Sequence, residues 1–115
     1  MEYVKSFRDL EVYKLARELS KEIFELSKKF PKEEMYSLTD QVRRSSRSIG
    51  AQIAQAWGKR KYERHFVSKL TDSDAEQLET QHWIETTADC SYFSTEKVEN
   101  LNQIFFNREN VEFND

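Results

Sequence analysis

Only three residues in this 115-residue chain can interrupt a helix through backbone chemistry alone: Pro31, Gly50 and Gly58. Sheet-rich folds place glycine, proline and asparagine clusters at every tight turn, and such clusters are absent here. Long helices separated by few breaks are what the remaining sequence permits. Hydrophobic residues make up 37% and charged residues 34%, the balance expected of amphipathic helices around one core. The length suits a single domain spanning 1–115. No apolar run approaches the ~20 residues that a membrane helix needs.

Hydrophobic periodicity fills in the elements. From Phe7 to Phe30, the residues Val12, Ala16, Leu19, Ile23, Leu26 and Phe30 recur at alternating spacings of four and three, the seam of a bundle helix. Ser6 or Asp9 is a candidate N-cap, and Pro31 keeps Phe30 from continuing as helix. A second helix follows Ser37, with Asp40 placed for a short capping box. Its inward face is Leu38, Val42, Ser45, Ile49, Ile53 and Ala56, and Gly58 is placed to end it. Gly50 falls inside this helix, where it implies close approach by a neighbouring helix.

A third helix is predicted from about Lys61 to Cys90, with a weaker stripe of Phe66, Leu70, Ser73, Gln77, Ile84 and Ala88 and with Val67, Ala75 and Leu78 beside it. Ser94 or Thr95 then caps a shorter fourth helix carrying Val98, Leu101 and Ile104, and a polar tail over about 107–115 is expected to fray. Four helices with short connections predict an all-α, up-and-down four-helix bundle. The longer first and third helices would leave apolar side chains that a second subunit could cover.

Charge is distributed unevenly. Residues 41–69 carry eight basic side chains (Arg43, Arg44, Arg47, Lys59, Arg60, Lys61, Arg64, Lys69) against Glu63 alone. Residues 70–115 carry eleven acids against Lys97 and Arg108, so the net charge of −3 hides two opposed halves. Such segregation points to an electrostatic partner: nucleic acid, another copy of the chain, or the acidic half itself.

The second helix also carries a recognisable motif. Leu38-Thr-Asp-Gln-Val-Arg-Arg44, then Ser48-Ile49 and Ile53-Ala54, resembles the core motif of the bacterial four-helix bundle protein family, the 23S rRNA-intervening sequence proteins. The opening Phe7-Arg-Asp-Leu-Glu-Val-Tyr-Lys-Leu-Ala16, Phe30-Pro31 and Tyr36 match its first helix and first connection, so the resemblance covers roughly residues 7–105. It implies an up-and-down bundle assembled as a ring-like homopentamer; it implies no catalytic activity, and no cofactor is expected. A related accessory protein of diversity-generating retroelements binds nucleic acid and a reverse transcriptase through a basic surface. The sequence departs from the family pattern at Gly50, which replaces a proline, and at Gln52, Gln55 and Ala56.

Two readings of the basic residues follow. Arg43, Arg44, Arg47, Lys59, Arg60, Lys61 and Arg64 are candidate contacts to RNA or DNA, because arginine forks match phosphate oxygens and displace condensed counterions. The plainer reading pairs Arg43 or Arg44 with acids of the third helix or of a neighbouring subunit. A pI near 5.5 favours the plainer one. Arg44 and Arg47 are expected on one face of their helix, while Arg43 and Arg47 lie at the i,i+4 spacing, so the cluster is not confined to one stripe. Phe7, Tyr13, Trp57 and Tyr62 are candidate interface anchors, since aromatic residues are enriched at such contacts.

Enzyme chemistry has little support. Glu79-Thr-Gln-His82 has the E-x-x-H spacing of a di-iron half-site, but the second half is missing because His65 follows Tyr62 at that offset. His82, Glu79 and Glu85 are better read as surface residues than as zinc ligands, so no metal is expected. Cys90 beside Asp89 is disfavoured as a thiolate, and a single cysteine suits a reducing compartment. The N-terminus lacks a secretory h-region, so a cytoplasmic location is expected. The sequence thus predicts a non-enzymatic, self-assembling interaction or scaffold protein, with a nucleic-acid-binding accessory role as the alternative.

Overall fold

The computed structural model describes residues 4–109, with side chains described as far as Ile104. Four helices follow one another: α1 (Glu11–Ser27), α2 (Leu38–Gly58), α3 (Glu63–Asp89) and α4 (Thr95–Glu109). They form an all-α four-helix bundle, and among the described residues there is no strand. The 27 residues of α3, at about 1.5 Å rise each, account for most of the molecule's 45 Å long dimension. No helix among the described residues is long and apolar enough to cross a membrane.

The core is built from the residues that periodicity singles out. Val12, Ala16, Leu19 and Ile23 of α1 meet Leu38, Val42, Ile49 and Ile53 of α2, and Ile84, Phe93 and Leu101 close the far side. Packing is most extensive between α2 and α3, next between α1 and α2. On α3 the inward residues are mostly polar: Ser73, Gln77, Thr80 and Thr87 are fully buried around the single aliphatic Ile84. Small hydroxyl side chains let the two longest helices approach closely, and hydrogen bonds offset the cost of burying them. Ser73 Oγ donates to the Ile49 carbonyl across the seam at 3.1 Å. The hydroxyls of Thr80 and Ser45 meet across it at 2.9 Å.

Element ends correct several sequence expectations. The first helix does not begin at Phe7: a 3-10 turn, Phe7–Asp9, precedes α1 and is capped by Ser6, whose Oγ accepts from the Arg8 N–H at 3.2 Å. Leu10 occupies the N-cap of α1 without a side-chain cap bond, so neither Ser6 nor Asp9 serves that helix. At the other end α1 stops at Ser27, and the chain tightens through bonds such as Phe30 N to Ser27 O at 3.1 Å before Pro31. Ser37 is the N-cap of α2, but no capping box forms. Its hydroxyl is engaged backwards, donating to Glu34 Oε1 at 2.7 Å.

The third helix starts at Glu63 rather than Lys61, and Ala88, assigned to its inward stripe, is exposed. Gly58 ends α2 without a left-handed conformation; Lys59 N–H bonds back to the Ala56 and Gln55 carbonyls instead. The left-handed residue in the described chain is Ser91, at φ 61°. Tyr92 N to Thr87 O at 2.9 Å and Ser91 N to Ala88 O at 3.0 Å complete a Schellman motif there, with serine where glycine is usual. α4 extends as helix to Glu109, past the expected start of the frayed tail; residues 110–115 lie outside the described chain.

Gly50 also differs from expectation. The α1 side chains Ala16 and Tyr13 do face it, but a Cβ added at Gly50 would lie 3.7 Å from each, an ordinary van der Waals distance. Close approach therefore does not require glycine. Replacing Gly50 by Ala removes backbone freedom from the unfolded chain, and Gly50→Ala is expected to stabilise the bundle by about 0.5–1 kcal/mol. Urea denaturation checks this: the midpoint rises while the slope is unchanged.

Candidate interaction surface

The basic residues fall into three separate settings. Arg43 and Arg47, one turn apart on α2, both lean over the Phe24 ring of α1, with guanidinium carbons 4.8 and 5.3 Å from its centroid. Arg43 is half-buried, and its Nε donates to Ser27 Oγ at 2.7 Å. Lys28 approaches the same ring at 4.8 Å. Arg44 points elsewhere. It lies near enough to Glu76 of α3 to act on its charge, so Arg44 and Arg47 do not share a face as the sequence reading expected.

The third setting is the α2–α3 turn. Arg60 stacks on Trp57, 4.1 Å from ring centre, and its Nη1 donates to the Trp57 carbonyl at 2.8 Å, satisfying one of the open carbonyls at the end of α2. Lys59, Lys61 and Arg64 are exposed around it. Among the described residues none of the seven cluster members has a carboxylate within 4.0 Å; the ion pairs found are Lys14–Glu11, Lys28–Glu25 and Lys69–Asp72. The intrachain pairing expected of Arg43 or Arg44 therefore does not form. Burial, then the neighbouring Glu79, raise the pKa of Glu76, and Arg44 only partly offsets them.

The interface candidates separate similarly. Trp57 is a core residue at 9% exposure, held under Arg60. Tyr62, at 63%, projects from the α2–α3 turn. Phe7 and Tyr13 are half-buried and packed edge to face at 4.9 Å, and they line a cleft of about 320 Å³ between α1 and α2 together with Ala16, Arg17, Arg47, Gly50, Ala51 and Ala54. Sequence reasoning missed this cleft and Phe24's role, because both arise where two helices meet.

It also missed the outer face of α3. Val67 is 51% and Leu78 58% exposed, eleven residues apart, a spacing that brings both to one side of a helix at about 100° per residue. The inward stripe takes Ser73, Gln77, Thr80 and Ile84 instead, so the apolar residues of α3 are divided between two faces. That division is why its periodicity reads weakly.

Glu79 accepts from Trp83 Nε1 at 3.2 Å, and His82 packs against the Trp83 ring at 4.8 Å. No group of three potential metal ligands exists among the described residues. Cys90 is exposed at the end of α3.

At the opposite end of the bundle from the basic turn, Glu34 ties two loops together. It accepts from Ser37 Oγ and from the Tyr92 hydroxyl at 2.9 Å, and Tyr92 and Phe93 both pack on Phe30 at 5.4 and 5.2 Å. The Ser37 bond, then the Tyr92 bond, hold the Glu34 carboxyl below its ordinary pKa of 4.5. The same bond to Glu34, with burial, pushes Tyr92 up to about 12. A depressed carboxylate contributes stability above its unfolded pKa and loses it as pH falls through the folded value. Tyr92→Phe is thus expected to lower Tm at pH 7, and the gap to wild type should narrow progressively below pH 4.5, checked by thermal melts over pH 3–7.

The fold and this surface together define a small helical bundle with a polar inner seam and a basic flank that has no carboxylate within 4.0 Å among the described residues. The chain belongs to the 23S rRNA-intervening sequence protein family, whose sequence profile matches residues 8–108. Its fold and sequence are similar to those of a crystallised protein of unknown function from the S23 ribosomal protein family of Bacteroides thetaiotaomicron. The two share 27% identity and a TM-score of 0.76, over 86% of this chain and 92% of that one. No curated protein matches the chain. The family description names the gene context of its members, not a reaction.

Proposed function

We propose that this protein is a non-enzymatic, cytoplasmic interaction protein that acts by assembling with copies of itself. The observation that carries the reading is a pair of outward apolar side chains, Val67 and Leu78, exposed on one side of α3. Basic side chains (Lys59, Arg60, Lys61, Arg64) lie before Val67 and acidic ones (Glu79, Glu85, Asp89) beyond Leu78, so a second copy offers matching charge as well as apolar cover. The family resemblance supplies the expected form, a ring of five. The exposed Tyr62 beside the basic turn is the aromatic anchor best placed for such a contact.

Light scattering on the full chain tests the reading. Self-association at micromolar concentration is expected, and Leu78→Asp should weaken it roughly tenfold or more by placing a charge where apolar surface is buried, with helicity unchanged. A wild type that stays monomeric at that concentration contradicts the proposal.

A second reading has its own support, because among the described residues none of Lys59, Arg60, Lys61 and Arg64 has a carboxylate within 4.0 Å. Contact with RNA or DNA through Lys59, Arg60, Lys61 and Arg64, with Arg43, Arg44 and Arg47 beside them, predicts saturable strand binding that falls steeply with salt. Fluorescence titration with a labelled single strand at two salt concentrations decides it; absence of binding at low salt removes this reading.

A further inference from the structure

We propose that the α1–α2 face holds a site for a nucleoside phosphate, with the phosphate on Arg47 and Arg43 and the flat ring in the adjoining cleft. This goes beyond self-assembly and is narrower than strand binding through the α2–α3 turn. The argument begins with an electrostatic imbalance. Three cations surround one phenyl ring: Lys28 at 4.8 Å, Arg43 at 4.8 Å and Arg47 at 5.3 Å from the Phe24 centroid. Lys28 has its own acid, Glu25, at 3.2 Å. Among the described residues, Arg43 and Arg47 have none within 4.0 Å.

Two guanidinium groups sharing one ring without a carboxylate repel each other, and an anion between them removes that cost. Both are already positioned. The Phe24 ring lies beneath both guanidinium groups, and Arg43 Nε donates to Ser27 Oγ at 2.7 Å, leaving its two Nη groups as donors. Preorganised forks lose less entropy on binding a phosphate than free side chains do.

The second half of the site is the cleft of about 320 Å³ to which Arg47 also belongs. Ala51, Ala54, Ala16 and Gly50 present little side-chain bulk there, and the Phe7–Tyr13 pair forms an aromatic wall. Arg17 stands on the α1 side with Nη1 3.4 Å from the Tyr13 hydroxyl and, among the described residues, no carboxylate within 4.0 Å. An apolar, aromatic-walled recess beside convergent cations suits a ring carrying a phosphate better than it suits either part alone.

Isothermal titration of the full chain at low salt tests the site with four probes: inorganic phosphate, adenosine, adenosine 5′-monophosphate and a single-stranded oligonucleotide. Saturable binding of the monophosphate is expected, tighter than phosphate and tighter than adenosine. Arg47→Gln should weaken it roughly tenfold or more, as loss of a charged hydrogen-bonding partner does. Phe24→Leu, which keeps apolar volume and removes the ring, should weaken it as well. Combined Gln substitutions at Lys59, Arg60, Lys61 and Arg64 should leave monophosphate binding unchanged. No saturable binding of the monophosphate, an unchanged Kd in a folded Arg47→Gln protein, or equal binding of adenosine each overturns the proposal. Strand binding lost only with the turn substitutions, without monophosphate binding, overturns this site and leaves the strand reading standing.

Discussion

Close packing of α2 against α3 through hydroxyl side chains is the interaction on which the remaining geometry depends. An apolar α3 would slide along α2 with little penalty, whereas paired hydroxyls match at one register only. Ser73 reaching the Ile49 carbonyl and Thr80 meeting Ser45 fix that register at two points about two turns apart. Once it is set, the α2–α3 turn, with Lys59, Arg60, Lys61 and Tyr62, stands at one end of the bundle. Arg44 then faces Glu76, and α1 packs on the opposite side of α2, bringing Phe24 under Arg43 and Arg47.

The same arrangement leaves the seven basic residues without a carboxylate within 4.0 Å among the described residues. Arg43 and Arg47 project toward α1, where their described contacts are the Ser27 hydroxyl and the Phe24 ring and not a carboxylate. Ring contacts and carbonyl contacts hold the arginines in place without neutralising them, and Arg60 on Trp57 repeats the device at the turn. Positioned but uncompensated charge is a property suited to meeting a partner. It contributes little to the stability of the bundle, which rests on the aliphatic core.

Much of the fold was legible in the chain. The α1 seam and the α2 face Leu38, Val42, Ile49 and Ile53 are buried as their spacing requires, because helix periodicity and hydrophobic burial are local rules. Legibility failed at element ends, where Ser37 turned back to Glu34 and Ser91 took the left-handed position usually given to glycine. It held only in part along α3, where Ser73, Gln77 and Ile84 are inside as their spacing predicts, but Thr80 and Thr87 join them unforeseen, Ala88 is exposed, and Val67 and Leu78 face outward. Hydrophobicity alone misassigns such a helix, since small hydroxyl residues are chosen there for close approach and cross-helix bonding.

The candidate surface was legible only as an inventory. The amino-acid sequence by itself determined helix number and order, the principal core, family membership and the separation of basic from acidic segments, all of which follow from composition and local spacing. Tertiary structure decided which arginine meets which neighbour. Arg43, Arg44 and Arg47 are within one helical turn of one another in the chain, yet two stack on Phe24 and one faces Glu76. That division depends on which helix packs against each side of α2, and a helix's own sequence does not specify its neighbours.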